Sequence, residues 1–188
     1  MKDRIQILDS FNDLKVTQYR NGDSIPEAIS NEQWVEFGEK KIGCYSINDN
    51  GNYLYNWYAV DDTKGLAPEG WHVPTDDEWQ TLIDHLGGSS VAGDKMKETG
   101  TSHWNSPNTG ATNESGFTAL PAGYRDDNGN YYYMGFYDFF WSATENYSGS
   151  AWGRILYGNY SGVYRINYYK KYGFIVRYIK DVIEGEIK

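Results

Sequence analysis

Residues 70–88 read GWHVPTDDEWQTLIDHLGG. Thr75 stands where a helix N-cap is wanted: its hydroxyl can accept from the free amide of Glu78, and the Glu78 carboxylate can reach back to the Thr75 amide. Asp76 and Asp77 put negative charge at the positive end of the helix dipole. Trp79, Leu82, Ile83 and Leu86 then recur at helical spacing and make one apolar face, and Gly87-Gly88 supplies the stop. An amphipathic helix with a defined start, face and end is predicted here.

Upstream, residues 1–13 read as an N-terminal extension with weak structure, and 14–19 (LKVTQY) as a short strand closed by an Asn21-Gly22 turn. Ser30 and Gln33 suggest a second capping box, opening a short helix that stops at Gly38. Residues 53–60 (YLYNWYAV) have strand composition. Downstream, a smaller helix is expected over 91–98, stopping at Gly100. No long helix is expected beyond it. Residues 106–116 form a polar loop, and 117–125 lead through the Asp127-Asn128-Gly129 hairpin turn to Tyr131-Tyr132-Tyr133. Strands are expected at 139–144, 152–157, 163–169 and 174–179, with turns at 159–162 and 170–172. Helices in the first half and antiparallel strands in the second make the class α+β. One domain over 14–181 is expected, followed by a tail at 182–188, and no internal repeat is evident.

At 188 residues the chain can bury a sizeable core, and a charged fraction of 23% with seven tryptophans argues against disorder. The mean hydropathy of -0.71 is depressed by Tyr, Asn and Gly, yet Tyr still buries large area. A net charge of -9 argues against a nucleic-acid partner, which needs a basic footprint, and the local basic pair Lys170-Lys171 is too small to suggest one. Cys44 is the single cysteine, so neither an intrachain disulfide nor a redox pair can form. No apolar run approaches a membrane span. The opening residues, Met1 to Gln6, lack the apolar core of a signal peptide, which leaves the cytoplasm open as a location.

Residues 141–178 read WSATENYSGSAWGRILYGNYSGVYRINYYKKYGFIVRY. Tyr and Trp give rigid, amphipathic contact area, while Ser, Gly and Asn give adaptable hydrogen bonding, as in antibody binding loops. The expected ligand-binding set is Tyr147, Trp152, Arg154, Tyr157, Asn159, Tyr160, Tyr164, Asn167, Tyr168 and Tyr169. Phe139, Trp141, Val163, Phe174 and Val176 are expected to be largely core, and Trp152 is assigned there too. The ligand suggested is a protein or a glycan. No catalytic residue is assigned. There is no G-x-S-x-G elbow, Cys44 sits in an apolar context that makes an inert thiol, and Asp61-Asp62 and Asp76-Asp77 read as turn and helix-start residues. His72, His85 and His103 include no pair at i, i+4 spacing. Calcium is the ion that Asn108, Asn113 and Glu114 would suit as oxygen ligands, although bracing of the loop by these side chains is the preferred reading.

Several segments together resemble the Fibrobacter succinogenes major paralogous domain: 54–60, GWHVPTDDEW at 70–79, KETG at 97–100, WNSPNTGATNESGF at 104–117, LPAGYR at 120–125 and KYGF at 171–174. The resemblance runs from about residue 14 to 181. It implies a C-type-lectin-like fold of the formylglycine-generating-enzyme branch, with two main helices and small antiparallel sheets. It also implies a bacterial surface or secreted protein, often a lipoprotein, of unassigned function. Formylglycine-generating enzymes bind copper through paired cysteines, and this chain has Cys44 alone. Related iron oxygenases use a histidine cluster. The EPN and WND signatures of sugar-binding C-type lectins are absent. The same branch includes the variable proteins of diversity-generating retroelements, and Tyr147, Ser150, Gly153, Arg154, Leu156, Tyr157, Asn159, Tyr160, Tyr164, Ile166, Asn167 and Tyr168 fit the residue palette of adenine mutagenesis. The function expected is non-catalytic recognition. The rivals are a metal-dependent oxidase or oxygenase and a structural surface adhesin.

Overall fold

The computed structural model describes residues 13–181. Four helices and ten strands follow in the order α1 (Asn31–Glu39), β1 (Tyr45–Ile47), β2 (Tyr53–Asn56), α2 (Trp57–Val60), β3 (Trp71–His72), α3 (Asp76–His85), α4 (Ala92–Met96), β4 (Tyr124–Arg125), β5 (Tyr131–Tyr132), β6 (Tyr137–Tyr147), β7 (Ser150–Tyr157), β8 (Val163–Tyr169), β9 (Gly173–Phe174) and β10 (Ile179–Lys180). They build sheets of order β1-β2-β9-β4-β5, β6-β7-β8 and β10-β3. Their strand pairings are antiparallel, so the class is α+β as expected.

Helix α3 starts as the sequence dictates. The Thr75 hydroxyl accepts from the Glu78 amide, the Glu78 carboxylate accepts from the Thr75 amide at 2.8 Å, and Trp79, Leu82 and Ile83 are buried. Gly87 and Gly88 have φ of 105° and 96°, a region open to glycine, and end the helix. At α1 the Ser30 hydroxyl accepts from Gln33 N, but the Gln33 side chain accepts from Ile29 N, one residue before the cap.

Three expectations change. Residues 14–19 form no strand: only Gln18 bridges Ser24, and Leu14 N donates to the Val176 carbonyl. The strand at 53–60 stops at Asn56, whose side chain accepts from Ala59 N and starts the one-turn helix α2. An Asn that can cap competes with the ladder, and strand composition alone does not reveal it. Residues 174–179 carry only the ends of a strand, β9 and the start of β10. At the last residue of the expected extension, the Asp13 carboxylate pairs with Arg177 at 2.7 Å. The rest of the extension and the tail lie outside the described residues.

The β6-β7-β8 sheet separates two apolar clusters. Alternate side chains of each strand point to opposite faces. Phe139, Trp141, Ala151 and Ile155 face a cluster with Tyr55, Trp57, Phe174 and Val176. Phe140, Leu156 and Val163 face a cluster with the α3 residues Trp79, Leu82 and Ile83, and with Trp104 and Phe117. The buried indole N–H groups find carbonyls: Trp57 on Ser142, Trp104 on Ala119 and Trp141 on Tyr55, at 2.8–2.9 Å. Of the residues expected in the core, Phe139, Trp141, Val163, Phe174 and Val176 are buried, while Trp152 is only half-buried.

Candidate functional site

The pleat and register of β6-β7-β8 decide which of the tyrosines meet. Tyr137 lies opposite Tyr157, Ile155 opposite Tyr164, and Ala151 opposite Tyr168, so these side chains share one face. At its inner end this face is core, and toward solvent it becomes a continuous run of phenol rings. Tyr160 stacks on Tyr164 at 5.0 Å, and Tyr164 meets Tyr157 at 5.0 Å. Tyr157 meets Tyr137 at 4.4 Å, and Tyr137 meets Tyr133 at 4.5 Å. Tyr124 lies in the middle, with Tyr133 at 6.0 Å, Tyr132 at 5.5 Å and Tyr172 at 5.6 Å; Tyr168 packs on Tyr172 at 5.2 Å. Edge-to-face and tilted rings at these separations stabilise one another.

The rings hold each other, but their hydroxyls are largely uncommitted. The hydroxyls of Tyr124, Tyr133, Tyr137, Tyr157, Tyr168 and Tyr172 bond to no other described residue. Burial first, and then the mutual repulsion of neighbouring phenolates, pushes Tyr124 up to about 12 and raises Tyr157 and Tyr168 as well; Tyr172 is raised by burial and then by the Asp127 and Asp126 carboxylates. These hydroxyls therefore stay neutral at ordinary pH, each able to donate and accept.

The ten residues expected to bind ligand are not one surface. Tyr157, Tyr160, Tyr164 and Tyr168 belong to the tyrosine face. Trp152, Arg154 and Asn167 alternate to the other side of the sheet. Arg154 corrects the expectation outright: its side chain is 0% exposed. It donates to Asp76 Oδ1 at 2.6 Å and to the Asp76 carbonyl at 3.0 Å, so it anchors α3 to β7 instead of reaching a ligand. The exposed partner is Arg165, which pairs with Asp76 Oδ2 at 2.8 Å and lies 3.3 Å over the Trp152 ring. Burial works against the Asp76 carboxylate, but hydrogen bonds from Arg165 and Arg154 hold it below the usual range. Asn159 and Asn167 are exposed, Tyr169 is 62% exposed at the end of β8, and Tyr147 is 74% exposed at the β6–β7 turn. Tyr124, Tyr132, Tyr133, Tyr137 and Tyr172 were not in the predicted set. The Tyr131-Tyr132-Tyr133 run after a hairpin turn was the available signal, but only the β4–β5 pairing beside β9 carries it to this face.

Residues 97–118 are a brace for that face. Lys97 is fully buried, and its ammonium donates to the carbonyls of Thr109 (2.7 Å), Tyr160 (2.9 Å) and Tyr157 (3.2 Å), pinning the turn between β7 and β8. The Asn108 amide donates to the Glu98 and Gly100 carbonyls, and the Asn113 carbonyl accepts from Thr118 N while its amide donates to Thr118 Oγ1. Glu114 faces Lys95 at 3.8 Å. Of the three oxygens first considered for calcium, that of Asn113 accepts from an amide and that of Glu114 faces Lys95, while Asn108 Oδ1 is buried and bonds no other described residue.

His72 and His103 serve separate carboxylates. His72 bridges Asp181 (2.6 Å) and Glu78 (2.9 Å), and His103 pairs with Glu98 at 2.9 Å. Cys44 is buried beside the Asn56 amide, and burial pushes its thiol up to about 12. Among the described residues no three His, Cys, Asp or Glu side chains converge as a metal site. A shallow groove of about 400 Å³ lies along residues 15–20 and 66–68, and no residue of the tyrosine run lines it.

The family model of the Fibrobacter succinogenes major domain matches residues 11–180. The chain belongs to this family. No curated protein and no solved structure matches it. Seen as a Fibrobacter succinogenes major domain, its LPAGYR segment has a physical role: the Arg125 guanidinium is buried, donates to the Ala28, Ser30 and Gly129 carbonyls and lies 4.7 Å over Trp34, clamping α1 to the β4–β5 hairpin. Three positions that fit the adenine palette are core. Arg154 and Leu156 are fully buried, and a Cβ on Gly153 would sit 2.5 Å from the Phe140 carbonyl oxygen.

Proposed function

We propose that this domain is a non-catalytic recognition module that takes a protein or glycan ligand on its tyrosine face. One observation carries the reading: a continuous run of half-exposed phenol rings, packed against one another, most of whose hydroxyls bond no other described residue. Rings that brace each other lose little entropy on binding, and neutral hydroxyls offer donors and acceptors at its rim. The two main helices over small antiparallel sheets, together with the family, support a C-type-lectin-like scaffold of the formylglycine-generating-enzyme branch, displayed at a bacterial surface. Where the tract is diversified, the variable set is Tyr147, Ser150, Tyr157, Asn159, Tyr160, Tyr164, Ile166, Asn167 and Tyr168. Gly153, Arg154 and Leu156 stay constant, because a random side chain there breaks the packing.

The test is parallel screening of the domain against a glycan array and a displayed peptide library, with Tyr133→Ala, Tyr164→Ala and Tyr147→Ala alongside. Anchors on the face lose about 2 kcal/mol or more of binding, roughly thirtyfold, with unchanged melting temperature, while Tyr147→Ala at the hairpin tip has little effect. Ligands that bind Tyr133→Ala and Tyr164→Ala as well as the wild type sink the reading.

A further inference from the structure

We infer that the outer edge of β8 docks an extended segment of a partner protein, which adds as a strand beside β8 and lays alternate side chains on the two faces of the sheet. This rests on the recognition reading above and names its ligand as a polypeptide.

β8 is the terminal strand of β6-β7-β8. Lys170 N donates to the Gly149 carbonyl, which continues the ladder to β7, whereas Val163 N donates outward to the Ser89 carbonyl. With the Tyr164–Ile155 and Tyr168–Ala151 register, even-numbered residues of β8 bond β7 and odd-numbered residues turn their N–H and C=O outward. Arg165, Asn167 and Tyr169 therefore face away from the sheet. Of their six backbone groups, only the Tyr169 carbonyl is taken within the described residues, by Tyr172 N at 2.9 Å. The open groups recur every second residue, the spacing that one further strand satisfies and a glycan does not. The edge is bounded at one end by Ser89 and at the other by Lys170, whose carbonyl accepts from Trp57 N.

The side chains agree with this geometry. The residues expected to bind ligand divide between two faces that share only the β8 edge: Tyr164 and Tyr168 on one, Trp152 and Asn167 on the other. A strand paired to β8 meets both sets. Its residues on one side lie beside Tyr164, Ile166 and Tyr168, a place for apolar or aromatic side chains. Those on the other lie beside Asn167 and Arg165; Asp76 sets one carboxylate against two guanidiniums, Arg154 and Arg165, so the exposed Arg165 keeps positive charge, a place for polar or acidic side chains. A second copy of this chain is the poorer occupant, because two molecules of net charge -9 repel.

The probe is a phage-displayed library of linear dodecapeptides, followed by the best binder resynthesised with single N-methyl amides. Asn167→Pro deletes one outward N–H that the fold does not use, in an edge position where proline is tolerated, and Asn167→Ala deletes the side chain and keeps the N–H. The expected result is a peptide whose affinity is about tenfold or more lower for Asn167→Pro than for Asn167→Ala, which measures the loss of the side chain alone, and falls with N-methylation at alternate residues. In the wild-type complex the amides of Arg165, Asn167 and Tyr169 become protected from hydrogen exchange, which reads the pairing without any variant. Equal binding by wild type and Asn167→Pro, or unprotected amides, overturns the edge inference; if Tyr164→Ala still abolishes binding, the tyrosine-face reading survives it. Glycan hits lost in Tyr133→Ala with no peptide binder also overturn the edge inference alone. A concentration-dependent dimer that Asn167→Pro dissolves replaces the partner by a second copy.

Discussion

Asp76→Ala separates a buried charge contact from an exposed one on the same carboxylate. Asp76 Oδ1 accepts from the fully buried Arg154 at 2.6 Å, and Oδ2 pairs with Arg165, 44% exposed, at 2.8 Å. Removing the carboxylate leaves the Arg154 guanidinium in the interior with only the Gly153 and Asp76 carbonyls. Breaking a buried pair from one side costs about 3–5 kcal/mol, a large part of the roughly 5–15 kcal/mol by which a domain is stable. At about 2–4 °C per kcal/mol for this size, the melting temperature falls by about 6–20 °C. Arg165→Ala breaks the exposed arm and its contact with Trp152, and costs about 1 kcal/mol. The double variant Asp76→Ala/Arg154→Met removes both buried charges and recovers most of the loss, because an apolar side chain of similar volume does not need the carboxylate. Urea unfolding followed by tryptophan fluorescence measures all three, with a constant m value as the two-state check. A loss below about 1 kcal/mol for Asp76→Ala, or no recovery in the double variant, refutes the reasoning.

Lys97→Met strands the carbonyls of Thr109, Tyr157 and Tyr160 and costs about 2–4 kcal/mol in urea unfolding; amide exchange should speed up first at residues 157–162. Gly153→Ala drives a methyl into the Phe140 carbonyl across the β6–β7 pair and lowers stability by about 1–3 kcal/mol, read from the shift in urea midpoint. Burial alone would lower the His72 pKa, but hydrogen bonds to Asp181 and Glu78 outweigh it and raise it. The bridge between β3, α3 and Asp181 is therefore at full strength below the unfolded value of about 6.5 and weakens as pH rises through the higher folded value. Proton NMR of the His72 ring should show that raised midpoint, and His72→Gln should remove the associated loss of stability with pH.

The capping box at Thr75, the helix face of Trp79, Leu82 and Ile83, the Asp127–Gly129 turn and the β6, β7 and β8 strands were legible because each is encoded within a few neighbouring residues. The one-turn helix after Asn56 was not, since the same local composition suits a strand until the Asn side chain finds the Ala59 amide. Arg154 looked like a ligand contact because a polar residue in a Tyr-rich strand is usually exposed. Nothing local announces that Asp76, far away in sequence, sits beneath it.

Sequence by itself determined the class of the fold, its family and the kind of surface the chain makes: short-range hydrogen-bonding and apolar periodicity set the elements, and an excess of tyrosine had to be placed somewhere. Only the tertiary structure decided which tyrosines meet. Period-two alternation sends neighbours in one strand to opposite faces, and the register of β6-β7-β8 with the β4–β5 hairpin brings Tyr124, Tyr133, Tyr137 and Tyr172 beside Tyr157 and Tyr168. Register depends on contacts between segments distant in sequence, and no single segment carries that information.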